Sequence, residues 1–271
     1  MVTPGLAWLA VFFLIPIFTL GQLSLQEGTF AEGFSFTWHW QNYPELLSRF
    51  GEQFARSFQF AGIATLLTFL IGYPLAYAMA FRAGRYKNLL LFLVILPFFT
   101  SYLIRTLAWK IILADEGFVV AALQAVRVLS EDGRLLATTT SVIGGITYNF
   151  LPFMILPIYV SLEKIDKRLV EAAKDLYASS PRAFWKVVFP LSLPGVFAGS
   201  LLTFIPAAGD FVNAQLLGGP QQQMIGNVIQ SRFLRVLDYP GAAAMSFILM
   251  ASILFAVLLY ARLIGSEELM S

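Results

Sequence analysis

Long uncharged, apolar runs alternate with short polar stretches along this chain, on a scale far longer than the period of an amphipathic helix or strand. Runs close to or above the ~20 residues that carry a helix across a bilayer recur at about 4–25, 57–81, 88–113, 137–162, 191–217 and 240–261. The second is bounded by Arg56 and Arg82, the third contains Arg105 and Lys110, and the fifth is interrupted by Asp210. In hydrocarbon each span must satisfy its own backbone hydrogen bonds, so the pattern predicts six transmembrane helices and an all-α integral membrane protein. No Lys or Arg precedes the first run and no Ala-x-Ala site closes it. Its apolar stretch also exceeds a signal core, so it reads as a retained helix rather than a cleaved signal peptide.

Composition agrees. The 271 residues are 58% hydrophobic and 13% charged, about half the charged share of a soluble domain, and the mean hydropathy is +0.73. With 26 Phe and 5 Trp, the chain has more large apolar surface than a soluble core of this size hides. Disorder, a coiled coil, a disulfide scaffold and an ordinary cytosolic enzyme are excluded. The net charge of +2 is too small to argue for nucleic acid, and the absence of Cys removes disulfides, thiolate catalysis and Cys-based metal sites. A single histidine, His39, cannot build a His-rich metal site. With no paired intramembrane carboxylates either, an intramembrane enzyme is disfavoured.

An even number of spans puts both termini on one side. With cytoplasmic termini, the inner segments hold Arg82, Arg85, Lys87, Lys164, Lys167, Arg168, Lys174, Arg182, Lys186 and Arg262; the outer loops hold Arg49, Arg56, Arg127, Arg134, Arg232 and Arg235. The bias has the sign of the positive-inside rule. Arg105 and Lys110 are expected to snorkel toward the outer surface, with Asp115 and Glu116 as partners. Pro74, Pro97, Pro152, Pro157 and Pro206 lie within the runs; they mark either bent helices lining a cavity or the ordinary proline content of membrane helices. Their number favours a transporter or channel over an anchor. His39 lies in the aromatic segment Phe34–Trp40, an expected interfacial belt, with a docking surface as the alternative. No repeat or second domain is visible, so residues 1–271 read as one transmembrane domain.

The inner loop at about 163–190 has its own pattern. Ile165, Leu169, Ala172, Ala173 and Leu176 share one face of a predicted amphipathic helix over Asp166–Leu176. Ser179 or Ser180 ahead of Pro181 starts a second short helix, expected to present Phe184, Val187 and Val188 to an apolar surface. Pro190 and Pro194-Gly195 are expected to break the chain before the fifth span.

Glu171-Ala172-Ala173, a gap to Phe184, Val187-Val188-Phe189-Pro190 and the closing Pro194-Gly195 together resemble the EAA loop of ABC importer permeases. The stretches Leu96–Leu113, Leu151–Tyr159, Ile205–Gly219 and Met224–Ile229 resemble the spermidine/putrescine branch of that family, and the likeness covers about Gly5 to Ala261. The resemblance implies a type I ABC importer permease (MetI-like) fold in a bacterial plasma (inner) membrane. It implies a second, homologous permease subunit, two copies of an ATP-binding subunit carrying ATP and Mg, and an extracytoplasmic substrate-binding protein. In such a machine the loop is a coupling helix seated on the ATPase: Glu171 pairs with a basic group and Ala172 and Ala173 permit close approach, with Asp175, Tyr177 and Phe184 as further contacts. The family has Gly where this chain has Tyr177, a residue type that resists positive φ, so either the turn is reshaped or Tyr177 fills part of the contact. The chain has no Gly-x-x-x-x-Gly-Lys-Ser/Thr loop and is expected to bind no cofactor itself.

The implied solute is a polyamine, with an iron chelate, an opine-like compound or another small solute as alternatives. For a polycation the pathway candidates are Asp210, Tyr148, Asn149 and Trp109. Asp210 at bilayer depth reads as a pathway carboxylate, as a cap on a broken helix, or as the partner of Arg105. Tyr148 and Asn149 either line the cavity or join helices by hydrogen bonds.

Overall fold

The computed structural model describes residues 3–130 and 132–264. Among the described residues five helices are long and apolar enough to cross a membrane, and there are six spans when a bent pair is counted as one. In chain order α1 (Pro4–Ser24) leads through a hairpin, β1 (Gln26–Thr29) and β2 (Gly33–Phe36), into α2 (Asn42–Phe81). The bent pair follows, α3 (Gly84–Phe99) and α4 (Tyr102–Ile112), and then the short α5 (Phe118–Ala125). Next come α6 (Thr139–Glu163), α7 (Lys167–Asp175), α8 (Ser180–Ala208), α9 (Val212–Leu217), α10 (Ile225–Ser231) and α11 (Tyr239–Ile264).

The central helix is α6. Thr138 opens it, its hydroxyl accepting from the Ser141 amide at 3.3 Å, and α2 and α8 pack on either side. Close approach comes from glycine. A Cβ on Gly195 of α8 would sit 2.5 Å from Ser161 Cβ and 2.6 Å from the Pro157 carbonyl oxygen, and one on Gly199 3.0 Å from the Met154 oxygen. This Gly-x-x-x-Gly stripe lets two membrane backbones approach where no hydrophobic force separates lipid from helix. The core is small-residue and aliphatic (Ala61, Ala64, Val142, Ile146, Ala207 and Ala208), while Leu66, Leu70, Leu254, Phe255 and Leu258 point outward.

Three expectations are corrected. First, α2 begins at Asn42 rather than near residue 57, because the polar turns with Glu45, Arg49, Glu52 and Arg56 are helical too. Second, the third run is two arms meeting at 94°. Pro97 lies in a tight 3-10 turn over Leu96–Phe99, and Thr100 and Ser101 are extended (ψ 142° and 137°), so the helix restarts in a new direction. Third, Pro190 and Pro194 do not break the chain. The helix runs without interruption from Ser180 to Ala208, and a π-helical turn over Phe184–Val188 precedes Pro190, a wider turn that accommodates the ring and its missing N–H. The fifth span instead stops at Gly209, and residues 212–217 form the separate α9.

The aromatic segment after β2 forms a ladder, Phe36–Trp38–Trp40–Tyr43, with ring centres 4.9, 6.3 and 6.0 Å apart. Trp38 and Trp40 are exposed, and His39 Nδ1 lies 3.5 Å from Glu27.

Candidate functional site

Both departures from helix inside apolar runs, Thr100-Ser101 and Gly209-Asp210, end at one polar cluster. Asp210, 6% exposed, caps α9: its Oδ1 accepts from the Val212 amide at 2.8 Å and the Asn213 amide at 3.2 Å. Oδ2 accepts from the Tyr102 hydroxyl at 2.8 Å and from Asn213 Nδ2 at 2.5 Å. Asn213 Nδ2 also lies 2.6 Å from the Tyr102 oxygen. Asn149 of α6, 1% exposed, donates from Nδ2 to Asn213 Oδ1 and to Thr106 Oγ1, both at 3.2 Å. Gly145 makes the docking of α9 possible, since a Cβ there would fall 2.3 Å from Leu217 and 2.7 Å from Asn213 Oδ1.

The carboxylate therefore has four donors and, among the described residues, no cation within ion-pairing distance. The Arg105–Asp210 pair, one of the alternatives for this carboxylate, is absent, and the capping alternative matches the geometry. Arg105 does not snorkel either. It is 8% exposed, with Nε and Nη1 lacking any acceptor among the described residues. The bend turns its side chain toward rings, 5.6 Å from the centre of Phe98 and 5.9 Å from Tyr102. Asp115 pairs with Arg134 instead, at 2.6 Å, and that guanidinium holds its carboxyl below the usual carboxylate range.

Of the pathway candidates, Asp210 and Asn149 lie in one network. Trp109 and Tyr148 make a separate edge-on pair, centres 5.3 Å apart. Tyr102, Thr106 and Asn213 belong to the network and escape sequence reasoning. The signal for the first two is the 3–4 spacing of Tyr102, Arg105, Thr106 and Trp109 on one face of α4.

The loop carries the other candidates. Asp166 caps α7, accepting from the Arg168 amide at 2.9 Å. Glu171, Ala172 and Asp175 are exposed and Ala173 is half-buried. The apolar face predicted for this helix is mostly exposed: Leu169 is 49% and Leu176 81% exposed, and only Ile165 is buried, with Val170 packed beside it. Tyr177 takes φ +62° and is 96% exposed. The Tyr177 amide bonds to the Lys174 carbonyl at 2.9 Å and the Ala178 amide to Ala173 at 3.0 Å, a Schellman ending of the kind glycine usually makes. The turn is thus kept, not reshaped, and the ring is left in the open. Phe184, expected on the docking side, turns inward against Tyr73 and Tyr77, ring centres 5.8 and 5.6 Å away. At the root of the loop Glu163 pairs with Lys87.

A bundle of membrane spans, two of them interrupted around a buried polar cluster, with an exposed amphipathic helix between its fourth and fifth spans, is the plan of a transport subunit driven from outside its own chain. Residues 72–265 match the family of binding-protein-dependent transport system inner membrane components, and the chain belongs to that family: it is a multi-pass membrane permease subunit of an ABC importer, not an enzyme. It is 41% identical to the spermidine/putrescine transport system permease protein PotB of Haemophilus influenzae, over 92% of this chain and 88% of the relative. It is 37% identical to PotB of Escherichia coli, over 97% and 96%. Among solved structures it is similar in fold to a bacterial alginate ABC importer (TM-score 0.72, 18% identity, 99% of this chain and 94% of that one). The methionine transporter MetNI in inward-facing form is another (TM-score 0.59, 16% identity, 82% and 97%).

Proposed function

We propose that this chain forms half of the translocation pathway of a polyamine importer, for solutes of the spermidine and putrescine class. What carries the reading is that two helix breaks meet at a buried carboxylate bonded to the Tyr102 phenol, in a chain 37–41% identical to permeases named for those polyamines. Non-helical backbone at membrane depth persists only where protein buries it or a cavity wets it. Carboxylates and aromatic faces suit a flexible polycation. As placed, Asp210 has no vacant acceptor position. A substrate ammonium gains it by replacing the Tyr102 hydroxyl as donor to Oδ2, which loosens α4 from α9. Asn149 steadies Asn213 behind the carboxylate, and Trp109 and Tyr148 line the same route.

Energy enters through α7. In this reading Glu171, Ala172, Asp175 and Tyr177 meet an ATP-binding subunit, present in two copies and holding ATP and Mg. Ala173 sets the depth of the contact, and Phe184 anchors the start of α8. A second, homologous permease completes the pore, an extracytoplasmic binding protein delivers the solute, and both termini are cytoplasmic. The test is uptake of labelled spermidine into inverted-control and right-side-out vesicles carrying the assembled complex. ATP- and binding-protein-dependent uptake is expected; a complex that assembles and imports another solute but not polyamines overturns the substrate.

A further inference from the structure

Hydrogen bonds account for the contacts of Asp210, but none accounts for its buried neighbour on α4, Arg105. A buried guanidinium with two nitrogens unpartnered among the described residues lies here against aromatic faces, within the ~6 Å range at which a ring quadrupole attracts a cation. The 94° bend builds that environment: Phe98 comes from the arm before the break and Tyr102 from the arm after it. Two rings of α6 pack on this pair, Phe153 lying 5.1 Å edge-on from Phe98 and Phe150 6.1 Å from Tyr102. On the far side of Tyr102 the hydroxyl donates to Asp210. A phenol donating to a carboxylate becomes more electron-rich, which deepens the negative face that Arg105 meets.

We infer that Phe98, Tyr102, Phe150 and Phe153, backed by Asp210, form a subsite for an alkylammonium group, and that Arg105 occupies it when substrate is absent. The inference rests on the polyamine reading and names where one ammonium of the solute is held. The chemistry of the box is that of an ammonium site: apolar faces for a methylene stem, ring quadrupoles for the charge, and a carboxylate one hydrogen bond behind the Tyr102 ring. Arg105 is suited to be a displaceable occupant, because it makes no bidentate pair that would lock it in place. Two cations cannot share the box, so an entering polycation expels Arg105, whereas a neutral solute exerts no such repulsion. Displacing Arg105 therefore costs the incoming cation part of its affinity, and the box stays filled between turnovers.

The experiment is equilibrium binding of labelled spermidine to the assembled complex in nanodiscs, without nucleotide. Arg105→Gln empties the box and is expected to tighten binding about tenfold, whereas Arg105→Lys, which keeps a cation, stays within about threefold of wild type. Adding Phe98→Leu to Arg105→Gln is expected to abolish the gain. Binding by Arg105→Gln no tighter than wild type, or a gain that survives Phe98→Leu, overturns the subsite. Should Arg105→Gln fail to assemble, an aryl-azide spermine used on the wild-type complex decides the matter: labelling of the Phe98–Arg105 segment, blocked by spermidine, supports the subsite, and labelling only elsewhere overturns it. A wild-type complex that neither binds nor imports spermidine refutes the polyamine reading and the subsite with it. Import without any Arg105 effect refutes the subsite alone.

Discussion

Asp210→Asn separates the two jobs of this carboxylate, capping α9 and accepting from Tyr102 and Asn213. The amide keeps one oxygen for the two backbone donors, so the cap survives in weaker, uncharged form. Its NH2 now faces both the Asn213 NH2 and the Tyr102 hydroxyl, so both donations to Oδ2 are lost. A hydrogen bond to a charged group contributes about 1.5–3 kcal/mol, and two are removed while the backbone pair loses its charge assistance. Removing a charge from membrane depth offsets part of this, by up to ~2.5–3.5 kcal/mol on insertion scales. The fold is therefore expected to persist near wild-type abundance. Transport needs the charge itself, and losing one charge-assisted contact in the limiting step slows it roughly ten- to a hundredfold at about 1.4 kcal/mol per decade. The assay is labelled spermidine uptake with membrane abundance measured in parallel, for Asp210→Asn, Tyr102→Phe and the double variant. Because both singles break the same Tyr102–Asp210 bond, the double is expected to be no worse than the poorer single. Wild-type uptake by Asp210→Asn at equal abundance refutes the reasoning.

Tyr177→Gly relieves a left-handed residue, a conformation unfavourable by ~1–2 kcal/mol outside glycine; the purified permease should melt at higher temperature, and an unchanged or lower midpoint counts against strain at this turn. If the exposed ring meets the ATPase, the same variant binds that subunit more weakly despite its greater stability, which co-purification reads. Glu171→Ala and Ala173→Leu should insert normally yet lose most uptake and ATPase recovery, and normal uptake in both removes the coupling role. Gly195→Ala places a methyl 2.6 Å from a backbone oxygen of α6, whereas Gly144 has nothing within 4 Å of an added Cβ; the first should cut abundance sharply and Gly144→Ala should not, and equal abundance breaks the packing argument. Reporter fusions after Lys87 and Lys174 should report the cytoplasm and those near Arg134 and Gln222 the outside, with an outside signal at Lys174 overturning the coupling loop's place.

What could be read ahead of the structure divides along a physical line. Span length is a one-dimensional property, so apolar runs reveal how many times the chain crosses. Helix starts are local too, which is why those near Asp166 and at Ser179-Ser180-Pro181 were legible. Direction is not local. Pro97 marked a perturbation, but the 94° turn depends on the extended Thr100-Ser101 pair, and only that turn carries Arg105 from an expected surface position to the Phe98–Tyr102 box. Periodicity showed that one face of α7 is apolar without showing which of two apolar surroundings it meets. In the structure Leu169 and Leu176 look outward and Phe184 inward. Proline rules misled at Pro190 because a preceding π turn absorbs the ring, a feature of hydrogen-bond register that residue type does not encode.

The same line explains the candidate site. Asp210 stood out because a lone carboxylate in an apolar run is costly, but its partners did not, since Tyr102 lies 108 positions away. The cluster exists because two interrupted helices bring their ends together, and each interruption alone looks like an ordinary proline or glycine of a membrane span. Together they account for one another. The donors of Tyr102 and Asn213 satisfy a carboxylate that would otherwise be bare, and the carboxylate holds the broken ends of α8 and α4 against α9. A network closed in this way can open only if another donor takes over at Oδ2. An ammonium is such a donor, and that links a cationic cargo to movement of the broken spans by the chemistry of one residue.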